Sequence, residues 1–138
     1  MSFEVYLQCF QNGKPAGVPR LLIRPLFPVL EDESGPDDWK VWYNEENWCN
    51  ISVNFLASDS SLVEGLCVYR PCGDGRFWEA ILQVMRLGPI TLYWPGDAPP
   101  LVANESAGNQ LPPDMVDRLG APRVVRTTTE ILEIIKDS

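Results

Sequence analysis

The chain has 138 residues, a size typical of a single domain, and its 11 basic and 19 acidic side chains give a net charge of -8. This acidity argues against binding to nucleic acid or to an anionic membrane surface, since both depend on lysine and arginine. It favours a basic protein as the partner through electrostatic attraction, although the same charge would also serve solubility alone.

Histidine is absent from the sequence. Its absence removes the usual general base, the Ser–His and Cys–His catalytic pairs and the commonest metal ligand. The cysteines Cys9, Cys49, Cys67 and Cys72 form no C-x-x-C pair, so the zinc-ribbon and thioredoxin signatures are missing. We therefore expect a protein that is not an enzyme, that needs no metal or cofactor, and whose cysteines are free thiols.

Targeting signals are not evident either. Residues 1–5 lack the basic segment and the long apolar run of a signal peptide. The longest apolar stretches fall well short of the ~20 residues that a membrane-spanning helix requires. The expected location is the cytoplasm, without membrane association.

The first segments in chain order predict a strand, a short helix and a loop. Residues 3–10 alternate between two faces as a β-strand does. Pro19 can open a helix whose apolar residues continue at helical spacing to Phe27, although Pro25 would disturb it. Residues 31–38 are charged and contain a Gly-Pro pair, which is typical of a loop.

An antiparallel meander is predicted next. Residues 39–43 and 48–55 have the composition and alternation of two strands joined by a turn, and residues 62–70 supply a third strand. Short connections between consecutive strands favour antiparallel neighbours.

The C-terminal half predicts the main helices. Residues 76–87 are apolar over a wide arc and end at Gly88-Pro89, so they are expected to form the central core helix, followed by a strand at 90–94. The remaining predicted elements are a strand at 101–103, a helix at 112–119, a strand at 123–126 and a helix opened by a capping box at Thr127 and Glu130. The expected fold is a single α+β domain over residues 1–138, with a mostly antiparallel sheet and helices packed on one face.

The stretch from Glu31 to Glu46 carries seven acidic residues and one lysine, without the spacing of a calcium-binding loop. Four aromatic residues lie beside these acids, as is typical of protein interfaces, although strand alternation predicts that at least two of the four are buried. A solvated acidic loop and a docking surface for a basic partner both remain open. The residues predicted to contact a partner are Asp37, Asp38, Trp39, Trp42, Tyr43, Glu45, Glu46 and Trp48.

A second candidate site lies just ahead of the helix predicted at residues 76–87. Cys72 is placed where a helix dipole lowers the pKa of a thiol, and Arg70 and Arg76 flank it. Asp74 is a suitable N-cap. These four residues predict a reactive thiol or an anion site, but turn geometry and capping account for them equally well.

Three segments resemble a set of short uncharacterised bacterial proteins: MSFEVYLQ at 1–8, RPCGD at 70–74 and LPPDM at 111–115. In size, acidity and lack of catalytic residues, the chain also resembles the immunity proteins that neutralise bacterial toxins. This second resemblance implies a binding protein with a toxin as its partner, and it assigns no functional residue.

The sequence therefore favours an immunity-type binding protein whose acidic, tryptophan-rich patch at residues 37–48 covers the basic site of a toxin. One alternative is a small-molecule or anion-binding protein, or a thiol enzyme, that uses residues 70–76. The other alternative is a subunit of a structural or regulatory assembly.

Overall fold

A computed structural model of the chain describes residues 3–137. Within these residues nine strands form one mostly antiparallel sheet with five helices around it, which confirms the predicted α+β class. The strands are β1 (Glu4–Gln11), β2 (Lys14–Pro15), β3 (Val18–Pro19), β4 (Asp38–Asn44), β5 (Asn47–Leu56), β6 (Asp59–Tyr69), β7 (Ile90–Tyr93), β8 (Leu101–Val102) and β9 (Arg123–Val124). The helices are α1 (Arg20–Ile23), α2 (Gly75–Met85), α3 (Glu105–Gly108), α4 (Pro113–Leu119) and α5 (Thr128–Asp137). None of these helices is long and apolar enough to cross a membrane.

The strand order is β4-β5-β6-β1-β7-β8-β9, with β2 paired to β1 and β3 paired to β6. The predicted meander is confirmed, because β4 pairs with β5 and β5 with β6, both antiparallel. The N-terminal strand β1 lies in the middle of the sheet, between β6 and β7. Only the β8–β9 pair is parallel among the described strands.

Strand alternation gives the sheet two faces. On the first, Val5 and Leu7 of β1 are buried beside cross-strand neighbours such as Leu66 and Leu92. The helices α2 and α5 cover this face with the apolar side chains of Phe77, Trp78, Ile81, Leu82, Met85, Ile131 and Ile134. Each large side chain buried in this way contributes about 1.5–3 kcal/mol to folding. We call this side of the sheet the helix face.

The opposite side, which we call the open face, is polar or partly exposed over β4, β5, β6 and β1. By register its residues are Asp38, Lys40, Trp42, Trp48, Asn50, Ser52, Asn54, Gly65, Cys67, Tyr69, Glu4, Tyr6 and Gln8. A second apolar cluster, which includes Phe10, Val102 and Met115, packs α3 and α4 over the β7–β8 end of this face. Packing on one face therefore holds for the two principal helices, α2 and α5, while the short helices α3 and α4 cross to the other side.

The helix predicted after Pro19 is shorter than its apolar pattern suggests. The α-helix ends at Ile23, and Arg24–Leu26 continue as a 3-10 turn, since Pro25 has no N–H to donate. Within this short helix Ile23 is buried in the core, whereas Leu21 is 81% exposed.

The capping box predicted at Thr127 and Glu130 forms in a modified version, in which the Glu130 carboxylate accepts from the N–H of Arg126 and not from that of Thr127. The Thr127 hydroxyl oxygen accepts a hydrogen bond from the Glu130 N–H at 3.2 Å. The Glu130 carboxylate reaches back to the Arg126 N–H at 3.1 Å. Together these bonds satisfy donors that a helix N-terminus would otherwise leave unpaired.

Candidate functional site

The β4–β5 hairpin is closed by a turn that Asn44 organises. Its side-chain oxygen accepts hydrogen bonds from the N–H groups of Glu46 and Asn47, both at 2.9 Å. Asparagine favours such turns because its amide replaces a backbone acceptor. The turn leaves the side chains of Glu45 and Glu46 exposed at the tip of the hairpin.

Two of the seven acids between Glu31 and Glu46 are neutralised within the chain. Glu31 pairs with Arg24 at 2.6 Å, and Glu33 pairs with Lys40 at 3.1 Å. The other five are exposed and take part in no ion pair within residues 3–137: Asp32, Asp37, Asp38, Glu45 and Glu46. The hairpin and the segment that leads into it therefore carry a concentrated negative charge without an internal counter-ion.

Two tryptophans face each other across the hairpin on the open face. Trp42 of β4 pairs with Trp48 of β5. The Lys40 ammonium lies 5.4 Å from the centre of the Trp42 ring and 4.8 Å from that of Trp48. Such cation–π contacts hold the rings in place. Trp48 is still 42% exposed, so much of its surface is available to a partner.

The exposed aromatic surface continues onto β6. Tyr69 lies opposite Asn50, two residues along β5 from Trp48, and its side chain is 47% exposed. Acidic residues stand at both ends of β4, separated by about 20 Å of extended chain, with the aromatic rings between them. We call this set the acidic–aromatic surface: Asp37, Asp38, Trp42, Glu45, Glu46, Trp48 and Tyr69.

Two residues predicted to contact a partner lie on the helix face instead. Trp39 is fully buried in the main core, and its indole N–H donates to the Pro36 carbonyl at 3.3 Å. Tyr43 is half-buried, with the Arg76 guanidinium 4.9 Å from the centre of its ring. Successive side chains of a strand point to opposite faces of the sheet, so residues 39, 41 and 43 lie on the helix face while Trp42 lies on the open face. Trp39 and Tyr43 are therefore not part of the acidic–aromatic surface.

The loop that leads into α2 is built around Asp74, whose predicted role as the N-cap is confirmed. Its carboxylate accepts from the Arg76 N–H at 2.9 Å and pairs with the Arg76 guanidinium at 2.7 Å. These bonds to the charged form lower the pKa of Asp74 to about 2. The Nε and Nη2 groups of Arg76 are thus engaged by the protein's own carboxylate, which weakens the attraction of this side chain for an external anion.

Of the four residues predicted as a thiol or anion site, the structure brings Cys72, Asp74 and Arg76 together and places Arg70 apart from them. Cys72 is buried, and its carbonyl accepts from the indole N–H of Trp78 at 3.0 Å. Arg70, in a left-handed conformation with φ of 50°, lines a separate depression of about 630 Å³. The other residues of that depression are Phe3, Glu4, Tyr69 and Pro95.

The Cys49 thiol, on the helix face of β5, is the main cause of a lowered pKa at Cys72, and the sequence pattern did not connect these two residues. No group of three or more potential metal ligands occurs in residues 3–137, so this pair is not part of a larger ligand cluster in the described chain.

A cavity of about 330 Å³ beside α1 was not predicted. It is lined by Arg20, Leu21, Arg24, Pro25, Phe27, Val29 and Glu31. The guanidinium Nε of Arg20 is buried without a hydrogen-bond partner in the described residues.

Neither a protein-family model, nor a curated protein, nor a solved structure matches this chain.

Proposed function

We propose that the chain is an immunity-type binding protein of the bacterial cytoplasm, which neutralises a toxin by covering the toxin's basic site. The observation that carries this proposal is the acidic–aromatic surface. Its four carboxylates take part in no ion pair within residues 3–137, and they stand at the two ends of β4. The exposed aromatic rings between them lie on the side of the sheet that α2 and α5 leave uncovered.

The charge supports a basic partner in particular. Asp37 and Asp38 are adjacent in the chain, as are Glu45 and Glu46, so like charges repel each other within each pair in the free protein. A partner rich in lysine and arginine removes that repulsion and is also attracted over a distance of about one Debye length. The surface therefore favours fast association that weakens as salt is added.

The aromatic residues supply the part of the affinity that does not depend on salt. Trp48 and Tyr69 expose 42% and 47% of their surface, and tryptophan and tyrosine dominate the energetic centres of protein interfaces. Lys40 packs against the ring of Trp48, so the Trp48 side chain loses less conformational freedom on binding than a mobile side chain would.

Occlusion also requires no catalytic group, in keeping with a sequence that lacks histidine. The alternative use of residues 70–76 by a small ligand has less support. Cys72 is buried, and the charge of Arg76 is already paired with Asp74. The assembly alternative differs in its expected partner, which would be a second copy of the chain bound through an exposed apolar patch.

The test neutralises the acids of the surface without changing their size. We expect the variant D37N/D38N/E45Q/E46Q to bind its basic partner about 10- to 100-fold more weakly at low salt, because each removed charge lowers the long-range attraction. The partner is first captured from the native cells with the tagged chain, then purified, and its Kd is measured calorimetrically at two salt concentrations.

The matched control D97N/D117N/E133Q/D137N removes the same number of charges from exposed positions elsewhere. Its Kd is expected to stay within about twofold of the wild-type value, since distant charges are screened. Equal weakening by both variants would assign the effect to net charge alone. Unchanged binding by the first variant, or a chain that binds only itself, would contradict the proposal.

A further inference from the structure

The cavity beside α1 has a wall that is fixed to the rest of the fold. Residues 28–30 run along the outer edge of β4, where the Leu30 N–H donates to the Lys40 carbonyl at 2.9 Å. The ring of Phe27 is buried and packs against that of Phe77 on α2, with the ring centres 6.0 Å apart. These contacts hold the chain that follows α1 against both the sheet and the core, so the cavity is formed before any ligand binds.

The lining of this cavity combines apolar side chains with a few charged groups, a composition typical of small-molecule sites. The apolar part comes from Leu21, Pro25, Phe27 and Val29. Leu21 is 81% exposed, so an apolar ligand that covers it removes from water a side chain that the protein itself leaves uncovered. The volume of about 330 Å³ is at the small end of the range for ligand sites, which indicates a small occupant.

The charged groups of the cavity do not balance one another. The Arg24 guanidinium is paired with the Glu31 carboxylate at 2.6 Å, and it also lies 5.4 Å from the centre of the Trp39 ring. Arg20 lines the same cavity, but its side chain takes part in no ion pair and no hydrogen bond within residues 3–137. The two guanidinium groups and the one carboxylate therefore leave a single positive charge uncompensated.

The guanidinium of Arg20 is also incompletely hydrated. Of its nitrogens in the described structure, only Nε is both buried and unpaired, so the unpaired terminal nitrogens are open to solvent. A cation that has lost part of its hydration is stabilised by an anion placed beside it. The terminal nitrogens of an arginine can donate two parallel hydrogen bonds to one carboxylate.

We propose that this cavity binds a small organic monocarboxylate with an apolar body. The carboxylate accepts hydrogen bonds from the terminal nitrogens of Arg20, and the body packs on Phe27 and Val29. One negative charge matches the one uncompensated positive charge. A dianion such as a phosphate monoester is disfavoured, because Glu31 repels its second charge.

The experiment titrates the purified full-length protein, labelled with nitrogen-15, with octanoate and follows the amide signals by NMR. We expect a Kd of about 0.1–1 mM, in keeping with the affinity per atom of small ligands, and the largest signal shifts in residues 20–31. Octanamide has the same body without the charge, and acetate has the charge without the body. Each is expected to bind at least about 10-fold more weakly than octanoate, and octyl phosphate is expected to bind more weakly as well.

Variants assign the binding to Arg20. Arg20→Gln is expected to weaken octanoate binding at least about 10-fold, whereas Arg118→Gln, which removes the same charge from an exposed position of α4, should change the Kd by less than about twofold. Arg20→Lys keeps the charge without the planar pair of donors and is expected to restore the affinity only in part. Should Arg20→Gln not fold, the comparison of the four probes on the wild type carries the test.

Three results would overturn the proposal: no octanoate binding up to 10 mM on the order-of-magnitude scale set by the expected Kd, equal affinity for octanoate and octanamide, or the largest shifts outside residues 20–31. Equal weakening by the Arg20 and Arg118 variants would also overturn it. These readouts do not involve the basic partner, and the cavity shares no residue with the acidic–aromatic surface, so they are independent of the proposed function.

Discussion

Replacing Trp39 with alanine is expected to destabilise the fold by about 3–5 kcal/mol. The indole is fully buried, lies opposite Ile51 across β4 and β5, and donates a hydrogen bond to Pro36. The Arg24 guanidinium also packs 5.4 Å from the centre of its ring. Since a domain of this size is stable by only about 5–15 kcal/mol, the loss is a large part of the total. Urea unfolding followed by tryptophan fluorescence and circular dichroism measures it.

The matched variant is Trp48→Ala, which removes the same side chain from an exposed position of the next strand. Its free energy of unfolding is expected to fall by only about 1 kcal/mol, because the ring is 42% exposed and loses mainly its pairing with Trp42 and Lys40. A small effect at Trp39, or a large one at Trp48, would contradict the assignment of these residues to the two faces of the hairpin.

The second large effect is expected on binding. Trp48→Ala should raise the Kd for the basic partner about 30-fold, because an exposed ring at the centre of an interface contributes about 2 kcal/mol. Dissociation is expected to account for most of this change, since truncation of an apolar anchor leaves the electrostatic encounter intact. Surface plasmon resonance with the purified partner separates the association and dissociation rates.

Leu132→Ala is the control for that measurement. This leucine is 39% exposed on α5, which covers the helix face and thus lies across the sheet from the acidic–aromatic surface. Its loss is expected to leave the Kd unchanged within about twofold. If Leu132 mattered more than Trp48, the partner would bind the helix side of the molecule.

Local features of the chain were sufficient to predict most of the secondary structure. The alternation in residues 48–55 belongs to β5, and Gly88-Pro89 follows the end of α2 as expected. The turn at Asn44 depends only on its own side chain and on its immediate neighbours. In such segments the pattern of a few residues decides the structure, so the sequence is informative without knowledge of the tertiary fold.

Pairings between distant segments could not be predicted in the same way. Nothing in residues 4–11 specifies that β1 enters the middle of the sheet, because its alternation suits an edge position equally well. The parallel pair of β8 and β9 joins two strands of only two residues each, too short to give a periodic signal. Helix α3, which Asn104 caps, is likewise a single turn.

The candidate site could likewise be predicted only where it depends on local features of the sequence. The acidic residues could be found from composition, since most charged side chains remain at the surface. The sequence could not show which tryptophans are exposed. Their exposure depends on which face of the sheet α2 covers, and the packing of α2 is part of the tertiary structure. Tyr69 was missed because its place beside the hairpin depends on the register of β5 with β6.

The measurement that tests the central claim most directly is amide hydrogen exchange of the chain, alone and with its purified basic partner. Occlusion through the acidic–aromatic surface predicts slower exchange over residues 38–48 and near Tyr69, with α5 unchanged. Protection of α5, or of the cavity beside α1, without any change in the β4–β5 hairpin would contradict it.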